Sequence, residues 1–391
     1  MMKHRIAVQT GAPAPYREPV FEELARRPGV ELKVFYAAFG HGDLGWLADP
    51  YMKQADYRAF LDNWTPRRFQ RMPLLGYCNT SISRAFERFH PTYAIVYGYS
   101  QLVNWLAIRH CMRHGVPFAL RTDSNVWLDT RLSWRSELRR GLLRRLVPRA
   151  AGILAVGSAN RMYWQRYGAT DHQLFMAPYA VDNRRVRDLA SRSDARPTSG
   201  LKFLYCGRLI PRKGVDQLLA AFEELHVGSR CRLTIIGDGP ERSRLEAMQS
   251  QPAREATRWL GKLANDDALR EFGGHDVLVL PSRHEPWGLV VNEAMAAGLP
   301  VIADHRCGAA CDLIHEGKTG WKLRGVTKET LKQAMLTCIQ EPSLVAAAGE
   351  AARRHVQSWS IERTVDGFLE AIESASHRAD IRRRTREVAH A

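Results

Sequence analysis

Two glutamates eight residues apart, Glu285 and Glu293, bracket the segment HEPWGLVVNE. DVLVLPS before it reads as a buried strand entering a loop, and GLVVNEAMAAG as a helix stopped by Gly298. Gly288, Leu289 and Val290 then fall at a helix N-terminus, where unpaired N–H groups and the positive dipole end make an anion site. Glu285 stands on the loop at the sheet edge and Glu293 inside the helix. Such carboxylates can accept hydrogen bonds from hydroxyls at both ends of a ligand whose phosphates lie between them. Taken singly, each acid also has a plain reading, as a dipole-favoured first-turn residue and an ordinary loop charge. Pro286, Gly288, Gly298 and Pro300 around the same helix favour the ligand site.

A second set lies upstream in YCGRLIPRKG, where Gly207 lets the chain turn and Arg208 and Lys213 place two cations before a helix. Arg grips a diphosphate in a bidentate way and Lys acts as a point charge; solvated surface cations are the competing reading. In IIGDGPE, Gly237 and Gly239 permit close backbone approach and Pro240 opens the next helix, a pattern shared by plain turns and ligand loops.

These residues need a sheet edge to stand on, and the chain supplies two. Short apolar runs alternate with 3.6-period segments, which predicts parallel α/β layers. Strands are expected at 4–9, 30–37, 93–97, 117–121, 152–156 and 173–177, and again at 201–206, 231–236, 256–260, 276–280, 299–303 and 319–323. Helices are expected at 21–27 and 102–115, then at 214–226, 240–250, 266–273, 289–297, 328–340 and 343–357. The aromatic stretch from Trp46 to Gly76 has no clear period and reads as a loop-rich insertion. RRVRDLASRSDARPTSG at 184–200 reads as a linker. The expected division is a first unit at 1–183, the linker at 184–200, a second unit at 201–360, and a terminal helix with a basic tail at 361–391. Each unit is a doubly wound sheet, which binds ligands at its carboxyl edge.

Composition narrows the function. The chain has 391 residues, 25% charged, with 57 Lys and Arg against 41 Asp and Glu, a net +16. Disorder and collagen-like repeats are excluded, no apolar run reaches the ~20 residues of a spanning helix, and MMKHRIAVQTG reads as a first strand rather than a signal. Seven scattered Cys, with Cys307 and Cys311 too far apart for a CxxC pair, argue against a disulfide framework or zinc ribbon and point to the cytosol. The fourteen His are read as lacking paired ligand spacing, so no metal site is expected. The charge excess points to an anionic partner: nucleic acid, an acidic membrane surface or a phosphorylated substrate. Residues 1–180 hold 25 Lys and Arg against 13 Asp and Glu, and 131–150 alone carries seven Arg against one Glu. That last segment interleaves Leu132, Trp134, Leu138, Leu142, Leu143, Leu146 and Val147 with its arginines. It reads either as a membrane-surface helix or as a core-packed helix with a solvated outer face.

GRLIPRKG, GDGPE and EPWGLVVNEA, in this order, resemble the C-terminal domain of the retaining glycosyltransferases of family four, which have the GT-B fold. The resemblance is dense over about 200–325. It implies two Rossmann-like domains facing across a cleft, and transfer of a hexose from a UDP- or GDP-sugar with no metal or other cofactor. Residue by residue, it implies that Arg208 and Lys213 hold the diphosphate with the N–H groups of Leu289 and Val290. Glu293 would bind the ribose and Glu285 the donor sugar, while Lys262, in WLGKLAN, would lie along the base. In the first half, Gly11 in TGAPAPYRE stands where such enzymes bring backbone to the donor phosphates, and Tyr16 and Arg17 follow it. Where many members carry a His, this chain reads RTDSN, similar to a cell-surface polysaccharide subgroup; Asp123 falls nearest that position, and Asp123 or Arg121 is expected to contact donor or acceptor. The implied acceptor is a saccharide or a lipid-linked sugar in polysaccharide, lipopolysaccharide or glycolipid synthesis, made by a cytoplasmic enzyme peripheral to an anionic membrane. A nucleotide-sugar epimerase is the alternative, although no catalytic carboxylates for it are identified in the first unit. A nucleic-acid-binding protein is a distant third, because no nucleic-acid module appears.

Overall fold

The computed structural model describes residues 4–38, 55–62, 76–129, 134–191, 200–226 and 231–390. Two all-parallel sheets organise them. The first holds β1 (His4–Thr10), β2 (Val30–Tyr36), β3 (Arg58–Phe60), β4 (Tyr93–Tyr97), β5 (Phe118–Arg121), β6 (Gly152–Ala155) and β7 (Leu174–Met176), in the order β3-β2-β1-β4-β5-β6-β7. The second holds β8 (Lys202–Cys206), β9 (Arg232–Ile236), β10 (Thr257–Gly261), β11 (Val277–Leu280), β12 (Val301–Asp304) and β13 (Gly320–Leu323), in the order β10-β9-β8-β11-β12-β13. Both orders reverse beside the first strand of their sheet, which opens a crevice at the carboxyl edge there.

Helices cover both faces of each sheet, so the central strands are near-continuous apolar runs; Val277–Leu280 is buried along its whole length. On one face of the first sheet lie α2 (Ile82–Phe89), α3 (Leu102–His114), α4 (Trp134–Leu146) and α5 (Ser158–Arg166). On the other lies α1 (Glu18–Arg26). The second sheet is covered on one side by α6 (Asn183–Ala190), α10 (Asn265–Phe272), α11 (Leu289–Ala297), α12 (Gly308–Leu313) and α14 (Pro342–Val356). Its other side carries α7 (Val215–His226), α8 (Arg242–Ala247) and α13 (Lys328–Gln340); α9 (Gln251–Glu255) precedes β10. Finally α15 (Ile361–His390) returns to the first sheet, where Val365, Phe368, Ala371 and Ile372 join the core beside α1 and Arg27 pairs with Asp366 at 2.9 Å.

Every expected strand is present within two residues, and β3 is an addition. It is three residues at a sheet edge, tied by Arg58 to the buried Glu18 of α1 at 2.7 Å, too short to show a period. Residues 46–54 and 63–75 of the aromatic stretch lie outside the described residues. In the segment read as a linker, 183–190 is the helix α6, capped by the Asp182 carboxylate accepting from the Arg185 N–H at 2.9 Å. Its Val186 and Leu189 bury against α10 and α11, a tertiary reason that its polar sequence conceals. Residues 192–199 of that segment lie outside the description. The helix expected at 240–250 is the shorter α8, and α9, capped by Ser250, is an addition that follows it.

Candidate functional site

The loops at the carboxyl edge of the second sheet interlock through glycine. A Cβ on Gly237, at φ 134°, would lie 1.8 Å from the Gly207 carbonyl oxygen, so only glycine lets the turns after β8 and β9 meet. The Gly207 N–H donates to the Ile236 carbonyl at 2.9 Å, and the Gly237 N–H donates to that of Gly261 at 2.7 Å. Arg208 and Lys262 stand exposed on these loops, and among the described residues neither side chain has a partner.

Lys213 and Glu285, seventy-two positions apart, are brought together. The ammonium donates to Glu285 Oε2, which also accepts from the Ser282 hydroxyl at 3.1 Å, and both side chains are about nine-tenths buried. Gly288 caps α11 with φ 95°, a left-handed conformation, and its backbone passes close to the Glu285 side chain. The first N–H groups of α11, those of Leu289 and Val290, have no helical acceptor and point out of its N-terminus. Glu293 lies partly buried one turn further on. Among the described residues it makes no hydrogen bond or ion pair, and burial lifts its pKa from 4.5 to about 7.

The first sheet closes the cleft from the other side. Asp123 follows β5; burial raises its pKa, Glu285 raises it further, and Arg17 and Arg121 lower it, so the Asp123 and Glu285 carboxylates lie near enough to feel each other's charge. Arg17 opens α1, donating to the Thr10 hydroxyl at 2.6 Å and to the Tyr16 phenol at 2.9 Å. Gly11, after β1, gives its carbonyl to the Ala38 N–H at 3.0 Å. Arg121 is placed differently from the expectation that it touches substrate. It is 2% exposed and donates to the Ala177 and Pro178 carbonyls, with its guanidinium against the rings of Tyr97, Tyr179 and Phe368. Its alternation along β5 turns it into the layer beneath α15.

Several residues escaped the sequence reading. The Asn125 amide donates to the Glu285 and Pro286 carbonyls at 3.2 and 3.0 Å, binding the first unit directly to the Glu285 loop. The Trp287 indole donates to Asn292 at 2.9 Å, and Asn292 donates to the Tyr179 carbonyl at 3.1 Å. The Tyr99 and Tyr163 hydroxyls meet at 2.5 Å, and Ser124 lies 3.2 Å from Tyr99. The other partners are far apart in sequence, which leaves no local signal; only the Trp287–Asn292 pair and Ser282, three residues before Glu285, have a spacing that could have marked them. The His expectation also needs correction. His110 and His114 sit one turn apart on α3, and with Glu87 of α2 their donor atoms lie within 4.8 Å of one another.

Residues 186–355 match the family model described as Glycosyl transferases group 1. The D-inositol 3-phosphate glycosyltransferase of Rhodococcus opacus (strain B4) is 31% identical over 227 residues, 54% of this chain and 50% of that protein. The sulfoquinovosyl transferase SQD2 of Arabidopsis thaliana is 28% identical over 312 residues, 74% of this chain and 58% of its own. The chain thus spans about half the length of the curated relatives it matches. Among solved structures, Anabaena Alr3699/HepE in complex with UDP superposes with a TM-score of 0.70 at 18% identity, covering 95% of this chain and 100% of that one. The glycosyltransferase of Rickettsia africae ESF-5 superposes with a TM-score of 0.73 at 15% identity, covering 95% and 98%. The fold is GT-B, as in these glycosyltransferases.

Proposed function

We propose that this chain is a retaining glycosyltransferase that moves a hexose from a UDP- or GDP-sugar to a saccharide or lipid-linked acceptor in polysaccharide or glycolipid synthesis. One observation carries the reading: the Lys213–Glu285 pair and the open N-terminus of α11 share a cleft that Asp123 faces from the other sheet. The match to Glycosyl transferases group 1 supports it, as do neighbours solved with UDP and UDP-glucose; these favour a uridine donor.

In this reading the donor diphosphate lies between Arg208, Lys213 and the N–H groups of Leu289 and Val290. Glu293 accepts from the ribose hydroxyls, Lys262 lies along the base, and Gly11 lets the opposing backbone approach. Glu285 binds the sugar hydroxyls. Asp123, with Arg17 beside it, orients sugar or acceptor from across the cleft. The bond from the anomeric carbon to the diphosphate breaks as the acceptor oxygen bonds on the same face, and the acceptor proton passes to the leaving phosphate oxygen. Preorganised positive charge stabilises the departing diphosphate as cationic character develops on the sugar. Because Arg208, Lys213 and the helix end supply that charge, we read the transfer as metal-independent.

The acceptor side carries a membrane-facing feature. Trp134, Leu138 and Leu142, four residues apart on α4, are 72%, 60% and 43% exposed, with Arg144 and Arg145 exposed beside them. Leu143 and Leu146 face the core, so the helix serves both readings with opposite sides. Among the described residues no helix is long and apolar enough to cross a membrane. The arrangement fits a helix lying in an anionic lipid surface, where a lipid-linked acceptor would be met.

A thermal-shift panel of nucleotide sugars, followed by analysis of product anomeric configuration, tests the proposal. Stabilisation by a UDP- or GDP-sugar and a product of unchanged configuration are expected. Indifference to every such donor would refute donor binding, an inverted product would refute retention, and an epimer formed without acceptor would favour the epimerase.

A further inference from the structure

The first GT-B unit carries a side-chain cluster that the transfer chemistry does not use. His110 and His114 share one side of α3, their rings stacked at 4.3 Å with an interplanar angle of 27°. Glu87 reaches them from α2, and one donor atom from each of the three lies within 4.8 Å of the others. His110 is only 6% exposed, and among the described residues neither nitrogen of its ring makes a hydrogen bond. Neither ring nitrogen is sealed from water, so an incoming ion can reach the ring although most of it is enclosed. Phe86, the neighbour of Glu87, holds that ring edge-on at 5.5 Å, fixing its plane. Glu87 and His114 are exposed, and their side chains can rotate to close on an ion that the buried His110 holds from below.

We propose that Glu87, His110 and His114 form a binding site for a divalent d-block cation, zinc foremost. Two imidazoles and a carboxylate are borderline-soft donors of the kind that select zinc, and three protein ligands leave a fourth position for water on the exposed side. Histidines four apart on a helix present their rings on one face, and the carboxylate of a second helix completes the set without backbone movement. The site is structural. The helix α3 starts at the carboxyl edge of the sheet and runs back, so His114, its last residue, lies at the amino edge, opposite the cleft. The ion clips α2 to α3, which share a core through Phe86, Ala107 and Cys111. The first turn of the same α3 carries Asn104, whose amide donates to Gln9 at 2.6 Å and to the Tyr97 carbonyl, both at the carboxyl edge. The clip therefore steadies a helix whose opposite end supports the acceptor side of the cleft.

The test uses the full chain without an affinity tag, stripped by chelator and titrated with Zn²⁺ alone against a chromogenic competitor. One tight equivalent is expected. Glu87→Ala and His114→Ala should each weaken it at least about tenfold, since even outer partners of a metal ligand cost that much when removed. Both positions are exposed, so these variants keep the fold. Zn²⁺ should raise the unfolding temperature of the parent and not of the double variant, and Co²⁺ should give the intense visible bands of a tetrahedral site in the parent alone. Absence of any Zn²⁺ binding, or equal affinity and stoichiometry in the double variant, overturns the proposal. UDP affinity should be the same with and without Zn²⁺; a loss of UDP binding on stripping would overturn its structural character. Because the UDP titration is independent of Zn²⁺ stoichiometry, failure of the metal site and failure of the transferase reading are separately visible.

Discussion

Lys213 and Glu285 form a buried ion pair across two loops of the second sheet, with the Ser282 hydroxyl on the same carboxylate oxygen. The proposed roles give the two groups different clients, a phosphate and a sugar hydroxyl. Their pairing places both at one point, where the bond between sugar and phosphate would break. In the proposed role a bound diphosphate would compete for the ammonium and release the carboxylate to the sugar, so the pair would hold the site together until the donor arrives.

Removing either partner alone strands the other in a site about nine-tenths closed to water, and such losses cost about 3–5 kcal/mol. Lys213→Met and Glu285→Gln should each lower transfer by about 100–1,000-fold, the scale of one lost transition-state contact. Lys213→Met should also lower the unfolding temperature, because it leaves a bare carboxylate, while Glu285→Gln keeps a hydrogen-bond acceptor and should lower it less. The double variant Lys213→Met with Glu285→Leu should regain stability without regaining activity. Calorimetry and initial rates read the two effects separately, and transfer near the parental rate in either single variant would remove these residues from the site.

Glu293 supplies a pH signature. Its folded pKa of about 7 exceeds the unfolded 4.5, so between these values the native chain holds a proton that the unfolded chain has lost. This group's contribution to stability is therefore present below about pH 4.5 and lost as pH rises through 7. Ribose hydroxyls donate best to the ionised acid, so UDP should bind more tightly at pH 8 than at pH 6 and release a proton on binding near pH 6.5. Titration calorimetry in buffers of different ionisation enthalpy detects that proton. Glu293→Gln should abolish it and weaken UDP at pH 8 by about tenfold or more, as for a lost charged hydrogen bond.

Most of the fold was legible because the strands are buried on both faces and announce themselves as apolar runs. β3 and α6 were not, since one is three residues long and the other is polar outside Val186, Leu189 and Ala190. In the second unit, the cluster from Glu285 to Glu293 is local and could be read as a site. The first unit's share could not, because Asn125 and Tyr179 meet their partners only through the packing of the two units, and Tyr99 meets Ser124 and Tyr163 only through the packing of its own. Arg121 and Asp123 show the limit well: one ends β5 and turns inward under α15, while the other, two residues on in the loop, feels the charge of Glu285. The His110–His114 spacing was visible in RHCMRHG, but Glu87 belongs to another helix and only the packing of α2 on α3 supplies it.

The exposed side of α4 predicts lipid binding. Trp134→Glu with Leu138→Glu should abolish co-sedimentation with vesicles containing anionic lipid, because each change removes apolar area and adds repulsion. Replacing Arg144 and Arg145 by Gln should weaken binding more at low salt than at high salt, where the charges are already screened. Transfer to a water-soluble acceptor should be unchanged in both variants. Binding that survives the Trp134 and Leu138 changes would assign the surface to something other than lipid.

Gly157 predicts how the two units close. Its φ of 170° is extended backbone open to any residue, so conformation does not require glycine here. Space does: a Cβ would lie 2.4 Å from Trp287 Cζ3 and 2.6 Å from Asp312 Oδ2, both of the second unit. Ser158, the next residue, donates from its N–H to Asp312 Oδ2 at 2.9 Å and from its hydroxyl to the other oxygen of that carboxylate. The contact thus joins the start of α5 to α12 and to the tryptophan two residues beyond Glu285. Gly157→Ala should wedge this contact open and part Asp123 from Glu285, while each unit keeps its own core. UDP affinity, which depends on the second unit, should change little, whereas turnover should fall by about tenfold to a hundredfold as alignment across the cleft is lost. A larger radius of gyration by small-angle scattering would accompany the loss. Turnover and dimensions equal to those of the parent would show that this contact does not set the cleft.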